Sequence, residues 1–159
     1  MGSRSKIDLA YVAGFLDGDG SLMLQVKKRK DGALKKRFMA TICFYQDTRH
    51  EKELYWIQQQ FGIGYISKRN DGMTELRING YAQVRNILKQ LLPFIRFKRL
   101  QARALYSASK LLSEVPYKKL SEKQLRQLAA LILIIQNENY ATKTKKSEEE
   151  LLTIFGLTP

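Results

Sequence analysis

Two hydrophobic periods alternate along the first two thirds of the chain. Apolar residues at 9, 12, 13 and 16 keep the three- and four-residue spacing of a helix that buries one face, and Ser5 with Asp8 forms a capping-box pattern ahead of them. A helix is expected over about 6–17, ended by Gly18 and Gly20. Over residues 21–29 the period drops to two, with Leu22, Leu24 and Val26 on one side and Gln25, Lys27 and Arg29 on the other. After a turn near Asp31 and Gly32, a second strand sets Phe38, Ala40, Ile42 and Phe44 against Arg37, Met39, Thr41 and Cys43, which makes a hairpin. Thr48-Arg49-His50-Glu51 reads as another capping box, opening a helix that carries Leu54, Ile57 and Phe61 and stops at Gly62.

A second hairpin is expected from strands at 65–69 and 74–79 joined by Asn70-Asp71-Gly72, a tight-turn sequence. Ile66, Leu76 and Ile78 point inward there, and Ser67, Arg69, Glu75 and Arg77 outward. Further helices are expected near 81–91, 98–114, 121–137 and 147–155, the last two capped by Ser121 with Gln124 and Ser147 with Glu150. The order is αββαββα, an internal duplication of an αββ unit, followed by extra C-terminal helices. It spells an α+β domain, an antiparallel sheet with helices on one face and the other face free.

The 159 residues support one domain with its own core. A hydrophobic content of 44% excludes a disordered basic tail. The longest purely apolar run, 128–135, is far too short for a bilayer, which needs about 20 residues, and is expected to be a buried helix. An apolar stretch at 9–16 behind Arg4 and Lys6 has the look of a signal peptide, but it runs into Asp-Gly-Asp-Gly without a cleavage signal. One Cys allows no internal disulfide, and no Cys/His spacing fits zinc. A reducing, intracellular setting is expected, either the cytoplasm of an archaeon or bacterium or an organelle.

Charge turns this fold towards a partner. With 28 Lys and Arg against 15 Asp and Glu the net charge is +13, which implies something acidic. Seven basic residues and a single acid, Asp31, stand between positions 27 and 37. A basic hairpin of this length suits the major groove of double-stranded DNA, where cations meet phosphates and polar side chains read base edges. Gln25, Lys27, Arg29, Arg37, Thr41, Ser67, Arg69, Glu75 and Arg77 are the expected DNA-binding residues. An anionic membrane is the weaker competitor, since no helix is both strongly basic and amphipathic.

Val12-Ala13-Gly14-Phe15-Leu16-Asp17-Gly18-Asp19-Gly20 carries the chemistry. Ala10 and Gly14 lie four apart on one flank, with Asp17 near the same line, and small residues at that spacing admit a second helix at close range. Asp17 and Asp19 end the helix, where the macrodipole disfavours each carboxylate by about 0.3–1 kcal/mol, so a cation is needed. If the partner helix belongs to an identical subunit, a two-fold axis brings two copies of Asp19 together, and a hard divalent cation is the natural compensation. An ordinary helix-ending turn is the plainer reading. A calcium loop fails, because Leu22 and Lys28 occupy the positions of its glycine and bidentate Glu.

Residues 12–20 resemble the LAGLIDADG motif, and the αββαββα order is similar to the LAGLIDADG homing endonucleases of the single-motif, homodimeric kind. The likeness covers roughly 7–112. It departs at Val12, Phe15 and Gly18 and leaves both acids in place. On this basis 1–114 is read as the endonuclease core and 115–159 as a helical extension of the same domain. The resemblance implies a saddle-shaped sheet over DNA and motif helices meeting through Ala10, Ala13, Gly14 and Asp17. It also implies Mg2+ at their ends, with Mn2+ able to substitute and Ca2+ binding without cleavage. No small-molecule cofactor is implied.

By the same resemblance, Asp19 is the metal-binding acid and the Gly18 carbonyl a further ligand. Gln46 positions a water, and Lys98 stabilises charge on the phosphate or tunes that water. His50 stands where relatives often have Arg, with Arg49 beside it as the other choice. Without the resemblance, Gln46 and His50 read as flanking a helix and Lys98 as one more phosphate clamp. The implied reaction is double-strand cleavage of a long, pseudo-palindromic site by an enzyme encoded in a mobile intron. The alternatives are an inactive scaffold serving as an intron RNA maturase or DNA-binding regulator, and a non-catalytic RNA-binding protein.

Overall fold

Ser5 caps the first helix as its position predicts: its Oγ accepts the Asp8 N–H at 3.0 Å. The computed structural model describes residues 4–28, 36–140 and 144–159, so Arg29 and the turn near Asp31 and Gly32 lie outside the described residues. Helix α1 (Lys6–Asp19) runs through Gly18 to Asp19, two residues beyond the expected end. Gly20 then opens strand β1 (Gly20–Lys28), and no other residue fits there, because a Cβ would come within 2.6–2.9 Å of Leu16.

Strand β2 (Lys36–Asp47) pairs antiparallel with β1, Leu22 facing Ile42 and Lys27 facing Arg37. The capping box expected at Thr48 does not form. A single 3-10 turn (Thr48–His50) is capped by Asp47, which accepts the Arg49 N–H at 2.9 Å, and α2 (Lys52–Phe61) begins after it. The reason lies in the second hairpin, β3 (Tyr65–Lys68) and β4 (Met73–Asn79). Its Thr74 hydroxyl bonds Thr48 at 2.9 Å and donates to Glu51 at 2.8 Å, drawing both side chains away from the helix end.

Helices α3 (Tyr81–Leu91), α4 (Arg99–Glu114), α5 (Glu122–Glu138) and α6 (Glu148–Ile154) follow, and Ser121 and Ser147 both make full capping boxes. The sheet order is β1-β2-β4-β3, antiparallel throughout. Leu22, Ile42, Phe44, Leu76 and Ile78 are sealed on its inner face against α1 and α3. Burying each such side chain contributes about 1.5–3 kcal/mol. Leu128 and Ile132 of α5 and Leu151 of α6 extend the same core, and the Phe38 ring meets Tyr117 and Phe155 at 5.6 and 5.4 Å. Among the described residues no helix is long and apolar enough to cross a membrane.

The end of α5 is fastened to the sheet. Asn139 Nδ2 donates to the Leu22 carbonyl at 2.9 Å, and Gln101 Nε2 to the Glu138 carbonyl at 3.3 Å. Strand β1 lies at the sheet margin, so Asn139 satisfies a carbonyl that no neighbouring strand reaches.

Candidate active site and nucleic-acid interface

Helix α1 ends in two carboxylates with different surroundings. Asp17 Oδ2 accepts the N–H groups of Arg96 and Phe97 at 2.7 and 3.2 Å, and its Oδ1 accepts that of Lys98 at 3.0 Å. Lys98 Nζ in turn donates to the Asp17 carbonyl. The cationic offset that the helix end demanded is thus supplied to Asp17 by Lys98 and by the amide-rich start of α4. Asp19, two residues on and so on nearly the opposite side of the helix, is exposed and has no cation paired with it among the described residues. Burial holds the Lys98 ammonium below the usual lysine range, against the pull of the Asp17 and Asp19 charges.

Gln46 sits at the end of β2, half-buried, its Oε1 accepting the Asp47 N–H at 2.9 Å. Arg49 is held in a two-pronged pair with Asp47 at 3.0 Å, and these hydrogen bonds bring the Asp47 carboxyl down to about 2. His50 next to it is exposed. Of the two residues weighed at this corner, Arg49 is committed to Asp47 and His50 presents its ring to solvent.

The outer sheet face carries the expected polar set, with two exceptions. Gln25, Lys27, Arg37, Ser67, Arg69 and Arg77 keep exposed or partly exposed side chains there. Thr41 is fully buried between Met23 and Asn79, its hydroxyl donating to Asn79 Oδ1 at 2.7 Å, which takes it out of reach of a base. Glu75 is 8% exposed, and its carboxylate is occupied by Arg77 Nε at 2.7 Å, the Ser67 hydroxyl and more distantly Arg69. It braces the two arginines. The Arg69 guanidinium also lies over the Tyr45 ring, whose hydroxyl bonds Ser21 at 3.1 Å. An open groove of about 800 Å³ joins this face to the end of α1, lined by Gly18, Lys98, Gln25, Lys27, Tyr45 and Arg69 among others.

Helix α1 has a second, uncovered face. At 100° per residue Ile7, Ala10, Tyr11, Gly14 and Gly18 fall on one side, and all five are exposed, Ile7 to 81%. A Cβ at Gly14 or Gly18 would meet nothing within 4 Å, so packing inside the subunit does not require glycine at either place. Ala13, expected on this flank, is completely buried, because it points to the stripe of Val12 and Leu16. Asp17 is likewise turned away, towards Arg96 and Lys98. Sequence reasoning passed over Ile7, Tyr11 and Phe97, the last 85% exposed in the loop that Asp17 holds. The i, i+4 spacing of Ile7 and Tyr11, in register with Gly14 and Gly18, was the available signal.

The model of the family described as LAGLIDADG endonuclease matches residues 12–104. The chain belongs to that family. It is 35% identical over 100 residues to DNA endonuclease I-CvuI of Chlorella vulgaris, covering 63% of this chain and 62% of that one, less than two thirds of the relative. It is 28% identical over 142 residues to DNA endonuclease I-CreI of Chlamydomonas reinhardtii, covering 89% and 84%. A crystal structure of the homing endonuclease I-CvuI in complex with its target, in the presence of calcium, superposes with a TM-score of 0.83 at 29% identity over 97% of this chain and 98% of that chain.

Among the described residues no group of three or more His, Cys, Asp or Glu side chains could hold an ion. The Asp19 carboxylate and the carbonyls at the end of α1 are hard oxygen donors of the kind a magnesium-class ion takes.

Proposed function

We propose that the chain is a site-specific homing endonuclease that acts as a homodimer and hydrolyses both strands of a long, pseudo-palindromic DNA target. The observation that carries this reading is an exposed Asp19, without a paired cation among the described residues, at the same end of α1 as a half-buried Lys98. A charged sheet face opens from that point. Two copies of α1 associate through Ile7, Ala10, Tyr11, Gly14 and Gly18, close enough at the glycines for backbones to approach, and this brings both Asp19 residues to the axis. An inactive maturase or regulator on the same scaffold has no need of Asp19.

Asp19 and the Gly18 carbonyl of each subunit would hold Mg2+. That ion, when bound, lowers the pKa of a coordinated water and neutralises charge on the leaving oxygen. Lys98 offers a cation to the charge that develops on the phosphate. Gln46, its Oε1 engaged by the Asp47 N–H, keeps its amide N–H2 for a water, and His50 supplies an exposed ring beside it. Gln25 and Arg77 read base edges, Ser67, Arg69, Lys27 and Arg37 hold the duplex, and Glu75 fixes the arginine forks. Mn2+ substitutes and Ca2+ supports binding alone. The free thiol of Cys43 is compatible with a reducing compartment, and a mobile intron is the expected genetic setting.

The test is selection from a library of randomised duplexes, followed by incubation of the selected duplex with purified protein and Mg2+ or EDTA. Double-strand cleavage in Mg2+ and none in EDTA is expected. A selected duplex that is bound tightly yet stays intact in Mg2+ and Mn2+ would make the chain a binding protein.

A further inference from the structure

We infer that Asp17 is a positioning residue whose carboxylate fixes Lys98 at the end of α1, and that it neither binds metal nor touches a second subunit. The inference rests on the nuclease reading for its effect on cleavage, though not for its geometry. Three consecutive backbone N–H groups, those of Arg96, Phe97 and Lys98, converge on this one carboxylate from 79 to 81 residues away. An ionised carboxylate has about four acceptor sites and makes its strongest bonds to such donors, so little of Asp17 is left for an ion.

The loop needs this anchor. Ile95 is buried, and the N–H groups of Phe94 and Ile95 return to the Leu91 carbonyl, which fixes the loop only as far as that residue. Arg96 and Phe97 then stand in solvent, and α4 begins at Arg99 with no side chain of its own capping it. From another element Asp17 instead ties down the three residues that lead into α4, and its negative charge suits the start of that helix as well as it misfits the end of α1. The reward for this arrangement is local. Once the Lys98 backbone is held against Asp17, its Nζ reaches the Asp17 carbonyl at the end of the helix that carries Asp19. Removing the carboxylate returns three amides to water and lets the ammonium drift, without touching Asp19 or the sheet face.

A double-mutant cycle tests it. Asp17→Asn should slow single-turnover cleavage about 10- to 100-fold, the scale expected for a small misplacement of a reacting group, with affinity in Ca2+ and sedimentation unchanged. In a Lys98→Met background the same substitution should change the rate less than about twofold, because the two act as one unit. Losses that multiply would overturn the inference, as would rescue of D17N by higher Mg2+ or a weaker dimer. If D17N fails to fold, Asp17→Glu, which keeps the charge and displaces it by one methylene, enters the same cycle. The 15N signal of the Lys98 ammonium, slow to exchange in the native protein and lost in the variant, reads the anchor without any cleavage. A protein that shows this signal and cuts no DNA refutes the nuclease reading alone. One that cuts DNA with a rapidly exchanging ammonium refutes the anchor.

Discussion

Asp17 and Asp19 are two residues apart and chemically opposite, which makes the helix end a natural control experiment. Asp17 is enclosed by amide donors, whereas Asp19 faces solvent with no partner cation among the described residues. Asp19→Asn should therefore leave the fold, the dimer and the Ca2+-supported affinity intact while lowering cleavage by at least about 100-fold, the scale of losing one preorganised electrostatic group. Gel-shift and cleavage assays on the same preparation check it, and loss of binding together with cleavage would mean that the acid is structural. Cys43 offers a second prediction. Burial pushes its thiol from 9.0 up to about 11, only partly opposed by its hydrogen bond with Tyr45. The folded thiol stays neutral where the unfolded one ionises, so stability is whole below pH 9 and declines as pH rises from 9 towards 11. The decline attributable to this group is at most about 3 kcal/mol, and Cys43→Ala should flatten it in denaturant titrations, with Tyr45 and Tyr117, also raised by burial, left to account for the remainder.

How much of the site was legible follows from separation along the chain. Asp19 announced itself within nine residues of motif. Lys98 entered only through resemblance, since no spacing rule links it to a helix end 79 to 81 residues earlier, and its bond to Asp17 is a property of the packed loop. Thr41 and Glu75 alternated correctly to the outer face yet are buried on it, because period-two patterning assigns a side and says nothing about what covers that side.

At the scale of elements, the helices read from strong local signals matched closely. Helix α3 was expected at 81–91 and is Tyr81–Leu91, and both serine capping boxes of α5 and α6 formed. The one failed cap, at Thr48, is where a residue from a later hairpin, Thr74, outcompeted a local contact. Helix α1 was underestimated because Gly18 was read with Gly20 as a stop, whereas only Gly20 stands at the helix end and Gly18 lies inside the helix on an open flank. That distinction is measurable. Glycine in a helix interior costs about 1 kcal/mol relative to alanine, and nothing within the subunit demands it at position 14. Gly14→Leu should leave the subunit folded, with an unaltered far-ultraviolet circular dichroism spectrum, and shift sedimentation from dimer towards monomer. An unchanged dimer would show that subunits meet elsewhere.

For the whole molecule, the +13 charge makes association with DNA a salt-governed process. If the sheet faces contact six or more phosphates, log affinity should fall against log salt with a slope of about −5 or steeper. A slope near zero, measured by fluorescence anisotropy on the selected duplex, would remove the sheet face as the docking surface.

The fastening of Asn139 to Leu22 has a consequence for how the molecule stays apart from its own kind. Strand β3 closes one margin of the sheet with only four residues, but β1 at the other margin is nine residues long and would offer an unpaired ribbon to any second sheet. Asn139, at the end of α5, covers one carbonyl of that ribbon, the one at Leu22. Asn139→Ala should consequently form thioflavin-positive assemblies under conditions in which the native protein stays dispersed, and a variant that remained dispersed would show that the margin does not depend on this cover.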